Sequence, residues 1–370
     1  GPARLCKDLI ALNWSLAKNG PILAPDERVL TEPDASMLVA DVTLLSRAQG
    51  CWMGQLVGDA LGSQVEFKTA EEINEEYPLG VDQILDGGTF NTIAGQPTDD
   101  SEMALYMGRS LAKRGKYEAS HVAIAYREWY DSEPFDIGNT VSQALRGQRA
   151  ADPVASMARC ASMDSQANGA LMRLAPLAIY SAGLSADIAG ILARADASLT
   201  HPNRIVLDAN QLVMAVIRKS LQGSDQLGDL YGWSRIYCEE QGMSSDVVQW
   251  LKDAERGPPD DFVSQMGWLR IALQNAFHHI HRGTALQTAL VDTVGRGGDT
   301  DTNACIAGAL LGAIQGLGGI PKAWQEAVLT CRPMTGIPYV ARSRPMACWP
   351  VDALTLAERW AILASNGAQS

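Results

Sequence analysis

The chain has 370 residues, of which 46% are hydrophobic and 19% are charged, and its formal net charge is −12. This is the composition of an ordinary globular protein that is long enough to bury a large core. An acidic chain without a long run of lysine and arginine argues against nonspecific binding to nucleic acid or to a membrane surface. We therefore expect a globular protein with neither of these partners.

The cysteines indicate a reducing compartment. Seven cysteines are scattered along the chain, and none of them forms a Cys-x-x-Cys pair. Separated thiols in an odd number are typical of reduced cysteines in a cytosolic protein. The sequence also shows no basic segment followed by the apolar stretch of a secretory signal peptide. We expect a cytoplasmic protein.

Residues 3–36 are predicted to form an N-terminal extension. Leucines recur there at helical spacing, which predicts one short amphipathic helix. Proline-containing pairs after this helix predict an irregular linker. The extension is expected to dock on the rest of the chain, to cover a site or to contact a partner. The leucines are Leu5, Leu9, Leu12 and Leu16.

Residues 37–370 are predicted to form one compact all-α domain. Helical patterns recur throughout, whereas the alternation of β-branched and aromatic residues that is typical of strands is scarce. At most a short hairpin is expected near residues 80–93. After a first long helix, the predicted helices cover residues 101–114, 119–131, 140–150, 169–182, 186–198, 203–221, 245–255, 263–281, 284–294, 303–317, 321–329 and 354–365.

Two stripes of glycine predict a pair of closely packed helices. Within each stripe the glycines are four residues apart. Glycine inside a helix costs up to about 1 kcal/mol relative to alanine, so a stripe is expected where missing side chains let two helices approach closely. The first stripe consists of Gly50, Gly54, Gly58 and Gly62, and the second of Gly308, Gly312 and Gly316.

Two acidic segments, Thr98-Asp99-Asp100 and Gly297–Thr302, each precede or begin a predicted helix. Clusters of carboxylate and hydroxyl oxygens without cysteine or histidine suit hard cations such as magnesium, manganese or calcium. An EF-hand is excluded because Ala304 and Leu310 stand where that loop requires glycine and glutamate. Helix capping would account for one acid in each segment. The two segments together favour a binuclear metal site that tertiary folding closes.

These segments belong to a series of six motifs. The motifs are Gly54-x-x-x-Gly58-Asp59-Ala60-Leu61-Gly62 followed by Glu66-Phe67, Thr98-Asp99-Asp100-Ser101, Phe135-Asp136-Ile137-Gly138-Asn139-Thr140, Asn168-Gly169-Ala170-Leu171-Met172-Arg173, Thr200-His201, and Arg296-Gly297-Gly298-Asp299-Thr300-Asp301-Thr302-Asn303. Over about residues 50–330 the chain resembles the ADP-ribosylglycohydrolase family, which includes the dinitrogenase reductase-activating glycohydrolases. Each motif is weak alone, but all six occur in the family's order. The resemblance implies an all-α orthogonal helical bundle that holds two magnesium or manganese ions.

The resemblance also implies a role for each matching residue. Glu66 would control the metals or a water molecule, and Glu66 or Asp100 would act as general base. Asp136 would face the guanidinium group of a modified arginine. The metal ligands would be Thr98, Asp99, Asp100, Asp299, Asp301 and Thr302, with Asp301 as the bridge. The diphosphate and ribose of the substrate would contact Gly138, Asn139, Thr140, Ser165, Asn168, Gly169 and His201.

One position departs from the family pattern. Ala167 precedes Asn168-Gly169, where the family commonly has glycine. If this position requires a positive φ, alanine is expected to be strained there. The departure concerns the shape of the diphosphate loop and leaves the predicted metal centre unaffected.

The resemblance therefore implies a metal-dependent hydrolase that removes ADP-ribose from an ADP-ribosylated protein. Arginine is the favoured acceptor because of Asp136, and ADP-ribosyl-serine or a small ADP-ribose derivative is the alternative. A protein of another class also stays open, namely an immunity-type protein that neutralises a cognate ADP-ribosyltransferase by direct contact through residues 3–36. The intact acids at the metal positions argue against a pseudoenzyme.

Overall fold

The computed structural model describes residues 41–146, 152–223 and 229–367, and within these ranges the protein is built of α-helices without a β-strand. The all-α prediction is confirmed. The predicted extension at residues 3–36 lies outside the described residues. The helices are α1 (Val42–Gly62), α2 (Ala70–Glu76), α3 (Asp99–Arg114), α4 (Ala119–Asp131), α5 (Asn139–Leu145), α6 (Pro153–Cys160), α7 (Ala175–Tyr180), α8 (Ala186–Ser198), α9 (Arg204–Leu221), α10 (Leu230–Glu240), α11 (Ser245–Arg256), α12 (Leu269–Arg282), α13 (Leu286–Gly295), α14 (Thr300–Gln315), α15 (Lys322–Thr330) and α16 (Ala353–Gly367).

Most predicted helices lie within a few residues of their expected bounds, and α4 and α8 match them. The prediction of one helix over 169–182 is wrong. Residues 169–174 form turns, in which Leu171 N donates to Asn168 O at 2.8 Å, and α7 begins only at Ala175. The predicted helix over 263–281 likewise begins only at Leu269. Both differences arise because the two segments pair with each other at the candidate site.

Three helices were not predicted, α2, α6 and α10. The local signals for two of them are clear in the structure. Thr69 and Glu72 form a capping box at the start of α2. Asp152 caps α6 directly before Pro153, which is tolerated in a first turn. Their short length hides the apolar periodicity on which the sequence prediction depended.

The hairpin expected near residues 80–93 is reduced to one bridge. Gly87 and Thr92 exchange two backbone hydrogen bonds of 2.8 and 3.0 Å, and no strand extends from this pair in the described residues. Positive φ values at Gly87 and Gly88 turn the chain there. The segment is therefore a tight loop, and it runs beside the candidate site.

The two glycine stripes bring α1 and α14 into direct backbone contact. A Cβ atom placed on Gly54 would lie 2.0 Å from the carbonyl oxygen of Gly308. Four such contacts pair Gly50 with Gly312, Gly54 with Gly308, Gly58 with Ala304, and Gly62 with Thr300. Residue numbers rise along α1 as they fall along α14, so the two helices are antiparallel. Gly316 lies outside the helix and caps it with a φ of 74°.

This packing places the C-terminal end of α1 beside the N-terminal end of α14. Thr300 Oγ1 donates to Gly62 O at 2.7 Å across that junction. Further along α1, Trp52 packs edge-on against Trp360 of α16, with ring centroids 5.4 Å apart. The helix pair thus forms the middle of the core, and its acidic end faces the candidate site. Across the described ranges, the helices lack the combination of length and apolar character that a membrane span requires.

We expect Gly54→Ala to lower the free energy of unfolding by about 3 kcal/mol or more, because its methyl group overlaps the Gly308 carbonyl. Helix propensity alone would make the alanine variant more stable by about 1 kcal/mol. A loss of stability would therefore indicate the steric overlap. Urea denaturation of the full chain measures it. Gly295→Ala is the matched control, since a Cβ there meets no described atom within 4 Å. Equal stability of the two variants would contradict the close helix contact.

Candidate active site

The start of α3 is fixed by a carboxylate from α1. The Asp59 side chain accepts hydrogen bonds from Thr98 N at 3.1 Å, Thr98 Oγ1 at 3.0 Å and Ser101 N at 3.1 Å. Thr98 is the N-cap of α3, yet its side chain forms no capping hydrogen bond within the described structure. Asp59 therefore supplies the cap from another helix. It fixes the position of the acidic segment that follows.

Asp301 lies at the junction of two groups of carboxylates. In each group the possible ligand oxygens lie within 4.8 Å of one another. One group contains Asp59, Asp100 and Asp301, and the other contains Glu66, Asp136 and Asp301. The segments that carry these residues are far apart in sequence and meet through the packing of α1, α3 and α14. The bridging role of Asp301 stays a prediction, and its carboxylate is the one that the two groups share.

The two threonines of the predicted metal set contact the same carboxylate oxygen. Thr98 Oγ1 lies 3.0 Å from Asp100 Oδ2, and Thr302 Oγ1 donates to the same oxygen at 3.4 Å. The structure therefore brings the segments around Asp100 and Asp301 together through their hydroxyl groups. The oxygen-rich centre that the sequence predicts is assembled from both segments.

Asp99 and Asp299 connect the acidic centre to the substrate loops. Asp99 Oδ2 accepts a hydrogen bond from Gly138 N at 3.2 Å. Asp299 Oδ2 accepts one from Asn168 Nδ2 at 2.7 Å. Asp99 thereby fixes the loop at the start of α5, and Asp299 fixes the loop that precedes α7. The predicted metal residues and substrate residues form one continuous site.

The electrostatics of the centre oppose full ionisation of its acids. Burial raises the pKa values of Asp59, Glu66, Asp99, Asp100 and Asp301, and the negative charges of the neighbouring carboxylates raise the pKa values of the last four further. Buried carboxylates at this spacing cannot all be ionised without a compensating cation.

Three oxygens of the cluster are also available as ligands. Glu66 Oε2, Asp100 Oδ1 and Asp301 Oδ2 are buried and have no hydrogen-bond partner among the described residues. Such orphaned oxygens are costly unless an ion or water satisfies them. Magnesium and manganese prefer carboxylate and hydroxyl oxygens. The residues present therefore fit divalent hard cations.

A cavity of about 630 Å³ adjoins the acidic centre. Its wall contains four acids of the centre, Glu66, Asp99, Asp136 and Asp299, and the hydroxyl group of Thr302. It also contains six of the predicted substrate residues: Gly138, Asn139, Thr140, Asn168, Gly169 and His201. Thr98, Asp100 and Asp301 are buried and do not line it. A cavity of this size is in the range of pockets that bind small organic ligands.

Ser165 is the predicted substrate residue that does not line the cavity. Its hydroxyl is hydrogen-bonded to Thr140 Oγ1 at 2.8 Å, and its Oγ accepts a hydrogen bond from Ala167 N at 3.3 Å. Ser165 therefore joins the two loops that carry the lining residues. Its contacts in the structure shape the wall of the cavity.

His201 presents an unpaired nitrogen at the cavity. Its ring is buried, Nδ1 is hydrogen-bonded to Thr200 Oγ1 at 2.7 Å, and Nε2 has no partner within the described ranges. Burial, together with the positive charge of Arg173, lowers the pKa of His201 to about 3. The imidazole is therefore neutral at physiological pH. It offers a polar atom to a ligand without adding charge.

The loop around Ala167 is held by the segment before α12. Asn168 N donates to Gly267 O at 3.1 Å, and Leu269 N donates to Gln166 O at 2.9 Å. This pairing replaces the helices predicted over both segments. The strain considered for Ala167 is absent, since residues other than glycine with positive φ in the described ranges are Phe67, Asn91 and Glu133.

Several lining residues had no role in the sequence prediction: Phe67, Gln166, Gln265, Met266 and Gly267. Trp268 is half-buried in the wall and packs edge-on against Trp250, with ring centroids 5.7 Å apart. Asp59 was also missed. An acid within an apolar, glycine-lined helix was the available signal for it. The 265–268 segment carries no comparable local signal.

Comparisons with known proteins show the family and the fold of the chain. The family described as ADP-ribosylglycohydrolase matches residues 40–349. An ADP-ribosyl-[dinitrogen reductase] glycohydrolase of Rhodospirillum rubrum is 32% identical over 280 residues, which are 75% of this chain and 88% of the relative. An ADP-ribosylarginine hydrolase Tri1 of Pseudomonas putida is 28% identical and covers 77% of this chain and 74% of its own length. A solved chain titled ADP-ribosylglycohydrolase-related protein complex aligns with a TM-score of 0.66 at 26% identity, covering 86% of this chain and 99% of that chain.

We expect Asp301→Asn to stabilise the protein in EDTA, because it removes one negative charge from a buried cluster of like charges. The same change is expected to abolish the rise in melting temperature that magnesium or manganese produces in the unaltered chain. Thermal denaturation with and without metal measures both effects. Asp164→Asn, at an exposed position, is the matched control. A full metal-induced shift in the Asp301 variant would contradict this arrangement.

Proposed function

Because this chain belongs to the ADP-ribosylglycohydrolase family, we propose that it removes ADP-ribose from modified arginine side chains of a protein and requires two magnesium or manganese ions. The observation that carries the proposal is the position of Asp136. Its carboxylate lies in the cavity wall, within 4.8 Å of possible ligand oxygens of Glu66 and Asp301. The names of the Rhodospirillum and Pseudomonas relatives, an ADP-ribosyl-[dinitrogen reductase] glycohydrolase and an ADP-ribosylarginine hydrolase, support it.

The proposed ions would be held by Thr98, Asp99, Asp100, Asp299, Asp301 and Thr302. When bound, such ions supply positive charge that orients ribose hydroxyls and makes water a stronger acid. The orphaned oxygens of Asp100 and Asp301 support this ligand set. Asp59 is expected to act through Thr98 and Ser101, whose backbone it fixes.

Cleavage of the bond at the ribose anomeric carbon passes through a state with oxocarbenium character. Glu66 lines the cavity and has a buried, unpaired oxygen among the described atoms. Its raised pKa would fall beside bound cations, and the resulting carboxylate would accept a proton from the attacking water. Asp100 was the other candidate base. Its burial away from the cavity lining favours Glu66 for this step and a ligand role for Asp100.

Asp136 would hold the leaving guanidinium group. A carboxylate that pairs with a guanidinium makes charge-assisted hydrogen bonds, which are stronger than those between neutral groups. The hydrogen bond from Gly138 N to Asp99 fixes the loop that follows Asp136. The acceptor would therefore enter the cavity beside the acidic centre.

The rest of the cavity would receive the ADP-ribose. His201 offers its unpaired Nε2, and Asn168 is fixed by Asp299. The ring of Trp268 forms a flat face on the wall, and its Nε1 donates to Gln166 Oε1 at 3.1 Å. A flat aromatic face suits an adenine base. The proposed contact of residues 3–36 with an ADP-ribosyltransferase concerns residues outside the described ranges and stays a prediction.

Release of ADP-ribose from an ADP-ribosyl-arginine protein and from an ADP-ribosyl-serine peptide tests the proposal. We expect release from the arginine substrate with magnesium and none with EDTA. Asp136→Asn is expected to lower kcat/KM for that substrate by about 10- to 100-fold, the value of a hydrogen bond to a charged group, while Asp164→Asn has no effect. Release from the serine peptide alone would overturn the arginine assignment, and release from neither would overturn the activity.

A further inference from the structure

Three phenylalanines form a row that begins at the wall of the cavity. The ring centroids of Phe67 and Phe90 are 6.1 Å apart in an edge-to-face arrangement, and those of Phe90 and Phe135 are 5.4 Å apart. Phe67 lines the cavity and is 53% exposed. Half of a large aromatic side chain thus faces solvent beside the acidic centre. A half-exposed aromatic ring in a cavity wall is available for contact with a ligand.

The row connects two of the segments that carry acids of the cavity wall. Phe67 directly follows Glu66, and Phe135 directly precedes Asp136. The possible ligand oxygens of Glu66 and Asp136 lie within 4.8 Å of each other. An aromatic ring and two neighbouring carboxylates therefore line the same cavity. That combination is complementary to a flat cation.

The backbone of Phe67 is held in an unfavourable conformation. Its φ is 69°, a region that bulky residues rarely occupy. Phe67 N donates to Gly298 O at 2.9 Å, and Gly298 N donates to Lys68 O at 2.9 Å. Thr89 Oγ1 also donates to Glu66 O at 3.0 Å. The loop of the acidic centre thus enforces the position of the ring, and strain of this kind is typical of functional sites.

The loops that carry Phe90 and Phe135 are fixed by contacts with other parts of the chain. A Cβ atom on Gly88 would lie 2.6 Å from Gln64 Cα, so the loop that carries Phe90 is seated on the backbone before Glu66. Arg344 Nη1 donates to Ser132 O at 2.8 Å and thereby fixes the loop that leads to Phe135. The row is therefore preorganised in the protein without a ligand. Preorganisation lowers the entropic cost of binding.

We infer that the ring face of Phe67 binds the guanidinium group of the acceptor arginine, with Phe90 and Phe135 as its support. A guanidinium is planar, weakly hydrated and always charged, and it stacks on aromatic faces while pairing with a carboxylate. Asp136 provides that carboxylate. Serine offers neither charge nor a plane, so this pair selects the acceptor. The inference rests on the proposed function and adds the residue that determines its specificity.

Binding of agmatine, a free guanidinium compound, tests the inference without hydrolysis. It is measured by calorimetry on the magnesium-loaded full chain saturated with ADP-ribose. Phe67→Leu keeps an apolar side chain at the same φ but removes the ring, and Phe67→Tyr keeps the ring. We expect agmatine to bind the leucine variant about three- to tenfold more weakly and the tyrosine variant within about twofold of the unaltered chain. N-butylurea, which is neutral, is expected to bind all three equally.

The affinity for ADP-ribose separates the alternatives. We expect the unaltered chain and the two Phe67 variants to bind ADP-ribose with the same affinity. Equal affinity would also show that the site is folded in each of them. The inference is overturned if the leucine and tyrosine variants bind agmatine alike, if the unaltered chain does not bind it, or if ADP-ribose affinity falls together with agmatine affinity. Agmatine binding on Phe67 without hydrolysis of the arginine substrate would overturn the proposed function alone.

Discussion

Direct backbone contact between α1 and α14 is the constraint on which the site depends. Without side chains at Gly54 and Gly308, the two helices are as close as their carbonyl oxygens allow. Their antiparallel orientation then brings Asp59 on one helix to Asp301 on the other. The same contact removes water from the junction. The carboxylates are therefore both close together and desolvated, and each of these conditions strengthens their repulsion.

This repulsion connects the stability of the fold to its chemistry. Helix packing has to hold together a cluster of acids that would separate in its absence. The raised pKa values of Asp100 and Asp301 describe the same stored free energy. A cation that binds the folded state alone would recover it and stabilise the fold by mass action. The cavity beside the cluster gives a ligand access to the same carboxylates.

The central parts of this arrangement were readable in the sequence. Glycine stripes and acid-hydroxyl segments are local patterns, and they predicted the packed helix pair and the residues at its end. The loop around Asn168 was not readable, because backbone hydrogen bonds to Gly267 override the helical pattern there. The positive φ of Phe67 was hidden for the same reason, since contact with Gly298 enforces it. Tertiary contacts over long sequence separations decided both features.

The most direct test of the central claim is crystallography of the full chain soaked in manganese, with data collected for anomalous scattering. We expect two peaks of anomalous density for manganese, one on each side of Asp301, between the starts of α3 and α14. The Asp301→Asn variant should lose this pair of peaks under the same soak. Absence of both peaks in the unaltered chain, or manganese bound elsewhere while the acids pair through protons alone, would contradict it.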